Sequence, residues 1–79
     1  MRQVADGLST KIQTARKQAN LTREQLAVAL GVSLSTVVRY ETGRTDRIPM
    51  KTLYRLAQST GKPLDWFFSG DGDAEEAVA

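Results

Sequence analysis

Hydrophobic residues recur at helical spacing in two segments of this 79-residue chain, residues 8–19 and 53–57. The first series is Leu8, Ile12, Ala15 and Ala19, and the second is Leu53, Leu56 and Ala57, with Thr60 at the next position of the same spacing. Spacings of three and four residues place each series on one face of a helix. The pattern predicts a first helix that ends near Asn20 and a last one that opens at Pro49 and ends at Gly61.

Two shorter helices are predicted in between, within residues 21–43. Thr22 suits the N-cap of the first, with Gln25 as its capping-box partner, and Gly31 suits the left-handed residue that ends it. Ser33 suits the N-cap of the second. The order of helix, turn and helix predicts a helix-turn-helix.

The second of these short helices has two chemically different sides. At about 100° per residue, its core side holds Thr36, Val37 and Tyr40, and its outward side holds Leu34, Ser35, Val38 and Arg39. An outward side that served stability alone would more usually carry Glu, Lys or Gln. An apolar pair beside an arginine favours a helix that enters a groove.

The outward side matches the chemistry of the DNA major groove. The thymine methyl offers an apolar contact to Leu34, several base edges hydrogen-bond with a hydroxyl such as that of Ser35, and guanine O6 and N7 bind an arginine such as Arg39. The alternative is an ordinary surface, since single exposed apolar side chains are normal. For Val38 the pattern does not decide between the two.

The charge distribution favours a polyanionic partner. The chain has 11 basic and 9 acidic residues, but four of the acids lie in residues 71–79, which contain no Lys or Arg. Residues 1–70 therefore carry eleven basic and five acidic side chains, a net charge of +6. Nucleic acid is the commonest such partner in the cytoplasm, although a basic surface also occurs in proteins that are simply soluble.

We expect one small domain at residues 8–70, between a flexible arm at residues 1–7 and a disordered acidic tail at residues 71–79. The aromatic segment Leu64–Phe68 is interpreted as a lid on the core. The sequence has no cysteine, no apolar run of membrane-spanning length and no signal peptide, which favours the reducing cytoplasm and no membrane.

Enzymatic activity is the weakest of the functional hypotheses. Without His or Cys, the usual metal and nucleophile constellations are missing, and no glycine-rich phosphate loop follows a strand. The acids Asp71, Asp73, Glu75 and Glu76 lack the spacing of a calcium loop. We therefore expect no catalytic residue, no metal and no cofactor.

Several motifs resemble the Cro and phage-repressor type of helix-turn-helix, also called the xenobiotic-response-element family, over about residues 8–70. They are Leu-Thr-Arg-Glu-Gln-Leu-Ala, Leu-Gly-Val-Ser, Ser35-x-Val37-x-x-Tyr40-Glu41-x-Gly43, Leu53-x-x-Leu56-Ala57 and Leu64-Asp-Trp-Phe. The resemblance implies an all-α fold, a compact five-helix lambda-repressor-like bundle. Its third helix would lie in the major groove while the second crosses the DNA backbone.

The resemblance also implies roles for single residues. Leu34, Ser35 and Arg39 match base-contacting positions, and Arg23, Arg44 and Arg47 match phosphate-contacting regions. Thr36 donates its hydroxyl either to a phosphate or within its own helix. Asp46 departs from the basic loop of many relatives, and Leu34 stands where glutamine-like residues are common, which argues against a guanine or adenine contact there.

An ion pair between the first and third helices is a further implication of the resemblance. It would join Arg16 to Glu41 and would be partly buried. A carboxylate at the C-terminal end of a helix is otherwise unfavourable, and a solvated Glu41 is the alternative.

We therefore expect sequence-specific binding of double-stranded DNA by a transcriptional regulator, as a repressor and a homodimer, on a palindromic operator with half-sites ~34 Å apart. The alternative is an antitoxin or regulatory subunit that uses the same fold to bind a protein. Protein binding would leave Arg23, Arg39, Arg44 and Arg47 without a shared purpose. A second alternative combines both functions: the third helix binds DNA, and the C-terminal end binds a protein partner.

Overall fold

The computed structural model describes residues 4–45 and 47–68. These residues form helices joined by turns and loops, and they contain no strand. The elements are α1 (Val4–Gln18), α2 (Arg23–Leu30), α3 (Leu34–Glu41), α4 (Met50–Thr60) and a 3₁₀ helix (Leu64–Phe67). The predicted all-α class is confirmed. The predicted count of five α-helices is not, because the last element is a single tight turn in which the Trp66 N–H bonds to the Pro63 carbonyl at 3.0 Å.

The first helix begins earlier than the apolar pattern indicated. α1 starts at Val4 instead of Leu8, so residues 4–7 of the predicted arm are helical. Apolar periodicity marks the turns that pack on the core, whereas backbone hydrogen bonding propagates a helix beyond them. Residues 1–3 and the predicted acidic tail lie outside the described residues.

The ends of α2 and α3 form as their side chains predict. Thr22 Oγ1 accepts from the Gln25 N–H at 3.0 Å, and Gln25 Oε1 accepts from the Thr22 N–H at 2.9 Å, which completes the capping box. Ser33 Oγ accepts from the Thr36 N–H at 3.2 Å. These bonds satisfy backbone donors that helix starts leave unpaired, and the Ser33 cap marks where the turn between the two helices ends.

Gly31 ends α2 in the left-handed conformation, with φ 73°. Arg55 on α4 approaches this turn and donates from Nη1 to the Leu30 carbonyl at 3.3 Å. A Cβ added at Gly31 would lie 3.1 Å from the same Nη1 atom. The turn of the helix-turn-helix is therefore held both by its own backbone and by a side chain of the helix packed against it.

One apolar core receives side chains from every helix. Its buried members are Ile12, Ala15, Leu26, Ala27, Leu30, Val37, Tyr40, Leu53, Leu56, Ala57 and Phe67. Phe67 closes this core and meets Trp66 edge to face, with ring centroids 4.9 Å apart. The Nζ atoms of Lys11 and Lys62 lie 4.3 and 4.8 Å from the Trp66 ring centroid. The aromatic segment thus closes the core as a lid, and the cation–π contact from Lys11 holds it on α1.

A buried carboxylate joins α1, α2 and α3. Glu41 is 1% exposed, and its Oε2 lies 2.7 Å from Arg16 Nε. Its Oε1 accepts from Arg23 Nε at 2.9 Å. Arg16 Nη1 also donates to the Leu21 carbonyl at 2.9 Å, and Gln13 Nε2 donates to the Glu41 carbonyl at 2.7 Å. The C-terminal end of α3 is therefore tied to both preceding helices.

The two arginines around Glu41 should contribute unequally to stability. Arg16→Ala should cost roughly 3 kcal/mol of unfolding free energy, because it leaves a buried carboxylate without its main partner. Arg23→Ala should cost about 1 kcal/mol or less, because the Arg23 side chain is 40% exposed and water already screens it. Urea denaturation followed by circular dichroism measures both losses, and equal losses would contradict this ranking.

Two glycines with the same backbone conformation provide a test of the Arg55 contact. Gly31→Ala and Gly61→Ala both place a side chain at a positive φ, at a cost of roughly 1–2 kcal/mol. A Cβ at Gly61 meets nothing within 4 Å, whereas one at Gly31 lies 3.1 Å from Arg55 Nη1, which must shift to make room. We expect Gly31→Ala to be the more destabilising in thermal unfolding. The difference should vanish in an Arg55→Ala background, and its persistence there would exclude Arg55 as the cause.

Candidate nucleic-acid interface

An open concavity of about 510 Å³ lies along the outward side of α3. Its lining residues are Leu34, Ser35, Val38, Arg39, Thr42 and Arg44. The opposite side of α3 is embedded in the protein, since Val37, Tyr40 and Glu41 are buried. The helix thus divides into one face that holds it in the fold and one that is available to a ligand.

Helical geometry arranges the lining residues in two rows. Leu34, Val38 and Thr42 follow one another at intervals of four residues and form the first row. Ser35 and Arg39 form the second row beside it. An apolar strip therefore runs next to a strip that carries a hydroxyl and a guanidinium.

A cluster of hydroxyl groups occupies the start of α3. Ser33 Oγ lies 3.2 Å from Ser35 Oγ and 2.9 Å from Thr36 Oγ1. Thr36 is half-buried and does not line the concavity. The Thr36 hydroxyl therefore lies within hydrogen-bond distance of the N-cap of its own helix.

Arg39 lies in the last turn of α3, and Arg44 and Arg47 follow the helix along the chain. Arg39 and Arg44 both line the concavity, and the Arg44 N–H bonds to the Arg39 carbonyl at 3.0 Å. Arg47 is exposed in the loop that follows. Among the described residues, which do not include Asp46, no carboxylate pairs with any of the three. This end of the site therefore carries concentrated positive charge.

Arg23 has a different environment from the other predicted phosphate-contacting residues. It is the first residue of α2, its Nε is bound to Glu41, and it does not line the concavity. The structure thus brings Arg16, Arg23 and Glu41 together in one cluster, and Leu34, Ser35, Arg39 and Arg44 in another.

Two contributors were missed by the sequence analysis. Thr42 follows Val38 by four residues and is the C-cap of α3. The helical spacing that predicted the outward side would have included Thr42 if the predicted helix had been extended to that residue. Gln13 supports the Glu41 carbonyl from α1, and no sequence signal indicates a hydrogen bond between residues 28 positions apart.

The described part of the chain holds no cluster of three His, Cys, Asp or Glu side chains that would bind a metal ion. The four acids considered for a divalent cation lie beyond it, in residues 71–79. None of the described helices combines the length and apolarity needed to cross a membrane. The concavity itself offers apolar, hydroxyl and guanidinium groups, a set suited to binding the edges and phosphates of nucleic acid.

Comparison with known proteins gives a family match and a related sequence. A family model described as helix-turn-helix matches residues 12–67. A protein of Rhodospirillum rubrum, described as an uncharacterized transcriptional regulator in the ATPase CF(0) region, is 37% identical over 59 residues. This match covers 75% of the present chain and 54% of the relative, so the chain spans about half the relative's length.

The matched region contains all of α2, the turn at Gly31, α3 and the core around them. It extends over more than two thirds of the 79 residues. The chain therefore belongs to the helix-turn-helix family.

Proposed function

We propose that this protein binds double-stranded DNA by inserting α3 into the major groove, and that it acts as a transcriptional regulator. The observation that carries the proposal is the concavity on α3, where Leu34, Ser35 and Arg39 lie together with Arg44. Membership of the helix-turn-helix family supports it, as does the description of the Rhodospirillum rubrum relative as a transcriptional regulator.

The row of Ser35 and Arg39 supplies polar contacts to bases. An arginine that donates two hydrogen bonds to guanine O6 and N7 is the commonest specific contact in the major groove. Arg39 is exposed and has no carboxylate partner among the described residues, so its guanidinium needs no bond broken before it binds. Ser35 would contact a neighbouring base edge through its hydroxyl.

Phosphate contacts would flank this row. Arg44 and Arg47 are exposed at one end of α3, and Arg23 lies at the start of α2. Arg23 donates its Nε–H to Glu41, and its two terminal nitrogens would donate to a phosphate. Thr36 would donate its hydroxyl to a phosphate while it accepts from Ser33, since a hydroxyl can do both.

We further propose a cytoplasmic homodimer that binds a palindromic operator and represses transcription. One module of this size makes few base contacts, and two linked modules gain affinity without new contacts. Repression is the simplest consequence when a small protein occupies an operator. The half-sites would then lie ~34 Å, one DNA turn, apart.

Binding of a protein partner is the rival function. The described part of the chain ends at Phe68, whose side chain is 53% exposed beside the aromatic lid. A partner at this end is compatible with DNA binding by α3. A partner on α3 itself would have to accommodate Arg39 and Arg44.

The proposal is tested by selecting bound sequences from a randomised duplex pool across a salt series. We expect an inverted repeat to be enriched, and affinity to fall steeply with salt because arginines displace counterions from phosphates. Salt-sensitive binding without enrichment would contradict sequence specificity. An absence of binding at low salt would favour the protein-partner function.

Single substitutions separate base contacts from phosphate contacts. Arg39→Ala should cost about 1–3 kcal/mol on the selected operator and relax its base preference. Arg44→Ala should weaken all duplexes alike and reduce the salt slope by about 1. Lys17→Ala is the matched control, because it removes one exposed charge from α1 and leaves the concavity unchanged. Equal losses on operator and random DNA for Arg39→Ala would refute its contact with a base.

A further inference from the structure

We infer that Leu34 and Val38 form a binding surface for the C5-methyl groups of pyrimidines in the major groove. The protein would then distinguish 5-methylated pyrimidines, thymine or 5-methylcytosine, from uracil and unmodified cytosine. The inference rests on the proposed function, because it assigns part of the specificity of that same DNA site.

The apolar row of α3 is the starting observation. Leu34 is 41% exposed and Val38 is half-buried, and both line the concavity that contains Arg39 and Arg44. They lie four residues apart, so their positions differ by ~6 Å along the helix axis. They therefore present one continuous apolar strip to whatever occupies the concavity.

Thr42, the third member of this row, adds no free hydrogen-bond donor to the apolar strip. Thr42 Oγ1 donates to the Val38 carbonyl at 2.8 Å, so its hydroxyl hydrogen is used within the protein. The hydroxyl and guanidinium of Ser35 and Arg39 lie in the neighbouring row. Hydrogen-bonding contacts and apolar contacts are thus separated across the width of α3.

Charge and chemistry together identify the occupant as DNA. Arg39 and Arg44 border the strip, and residues 1–70 carry a net charge of +6, which suits a polyanion. In the major groove the apolar group on a base edge is the C5-methyl of thymine. A methyl group added at C5 of cytosine occupies the equivalent position, so the same strip would bind it.

The experiment replaces single thymines of the selected operator by deoxyuridine, which removes only the methyl group and keeps every hydrogen bond of the base pair. We expect the affinity of the unmodified protein to fall about fourfold at one or more thymines in each half-site, the loss typical of one buried methyl group. When cytosine is placed at the same positions, a duplex that carries 5-methylcytosine should be bound more tightly than one that carries unmodified cytosine. Fluorescence anisotropy titration at fixed salt measures each dissociation constant.

Protein variants assign the effect to the strip. Leu34→Ala and Val38→Thr should each reduce the ratio of uracil to thymine dissociation constants towards one. Val28→Ala is the matched control, because Val28 is an apolar residue of α2 that is 82% exposed and lies outside the concavity, and it should keep the full ratio.

The outcomes separate this inference from the function on which it rests. Specific binding with equal affinity for thymine and uracil duplexes at every position would overturn the inference and leave the DNA-binding function intact. A methyl effect that persists undiminished in both Leu34→Ala and Val38→Thr would also overturn it. Failure to bind any duplex would contradict the proposed function and this inference with it.

Discussion

The buried carboxylate of Glu41 is the constraint on which the position of α3 depends. A carboxylate loses several kcal/mol of hydration on burial, and at the C-terminal end of a helix it also opposes the helix dipole. Both costs are offset only if cations lie against it. Arg16 and Arg23 meet this need from α1 and α2, so the charge forces three helices into one relative arrangement.

That arrangement determines what α3 can present to a ligand. With Glu41, Val37 and Tyr40 directed into the protein, the opposite side of the same two turns is left outward with its apolar and polar rows. Arg23 pairs with Glu41 at the start of α2 and lies outside the concavity. The phosphate contact proposed for Arg23 would therefore lie next to the cluster that orients α3.

Local chemistry made much of the fold predictable. The capping box of Thr22 and Gln25, the left-handed Gly31 and the Ser33 cap depend on residues within a few positions of one another, so the sequence predicts them directly. Periodicity predicted the core of α1 but not its start at Val4, since burial and backbone hydrogen bonding end at different residues. The five-helix count that the family resemblance implied is not confirmed, because the last element is a 3₁₀ turn. The aromatic residues of that segment indicate burial and do not specify backbone geometry.

The sequence by itself determined which residues face outward on α3, because the helical period and the side chains that face the core are enough to orient a short helix about its own axis. Only the tertiary structure decided that Gln13 and Arg23 support Glu41 and that Arg55 holds the turn at Gly31. These three contacts join residues 18 to 28 positions apart. Contacts at such separation follow from how helices pack against one another, and no local pattern encodes that packing.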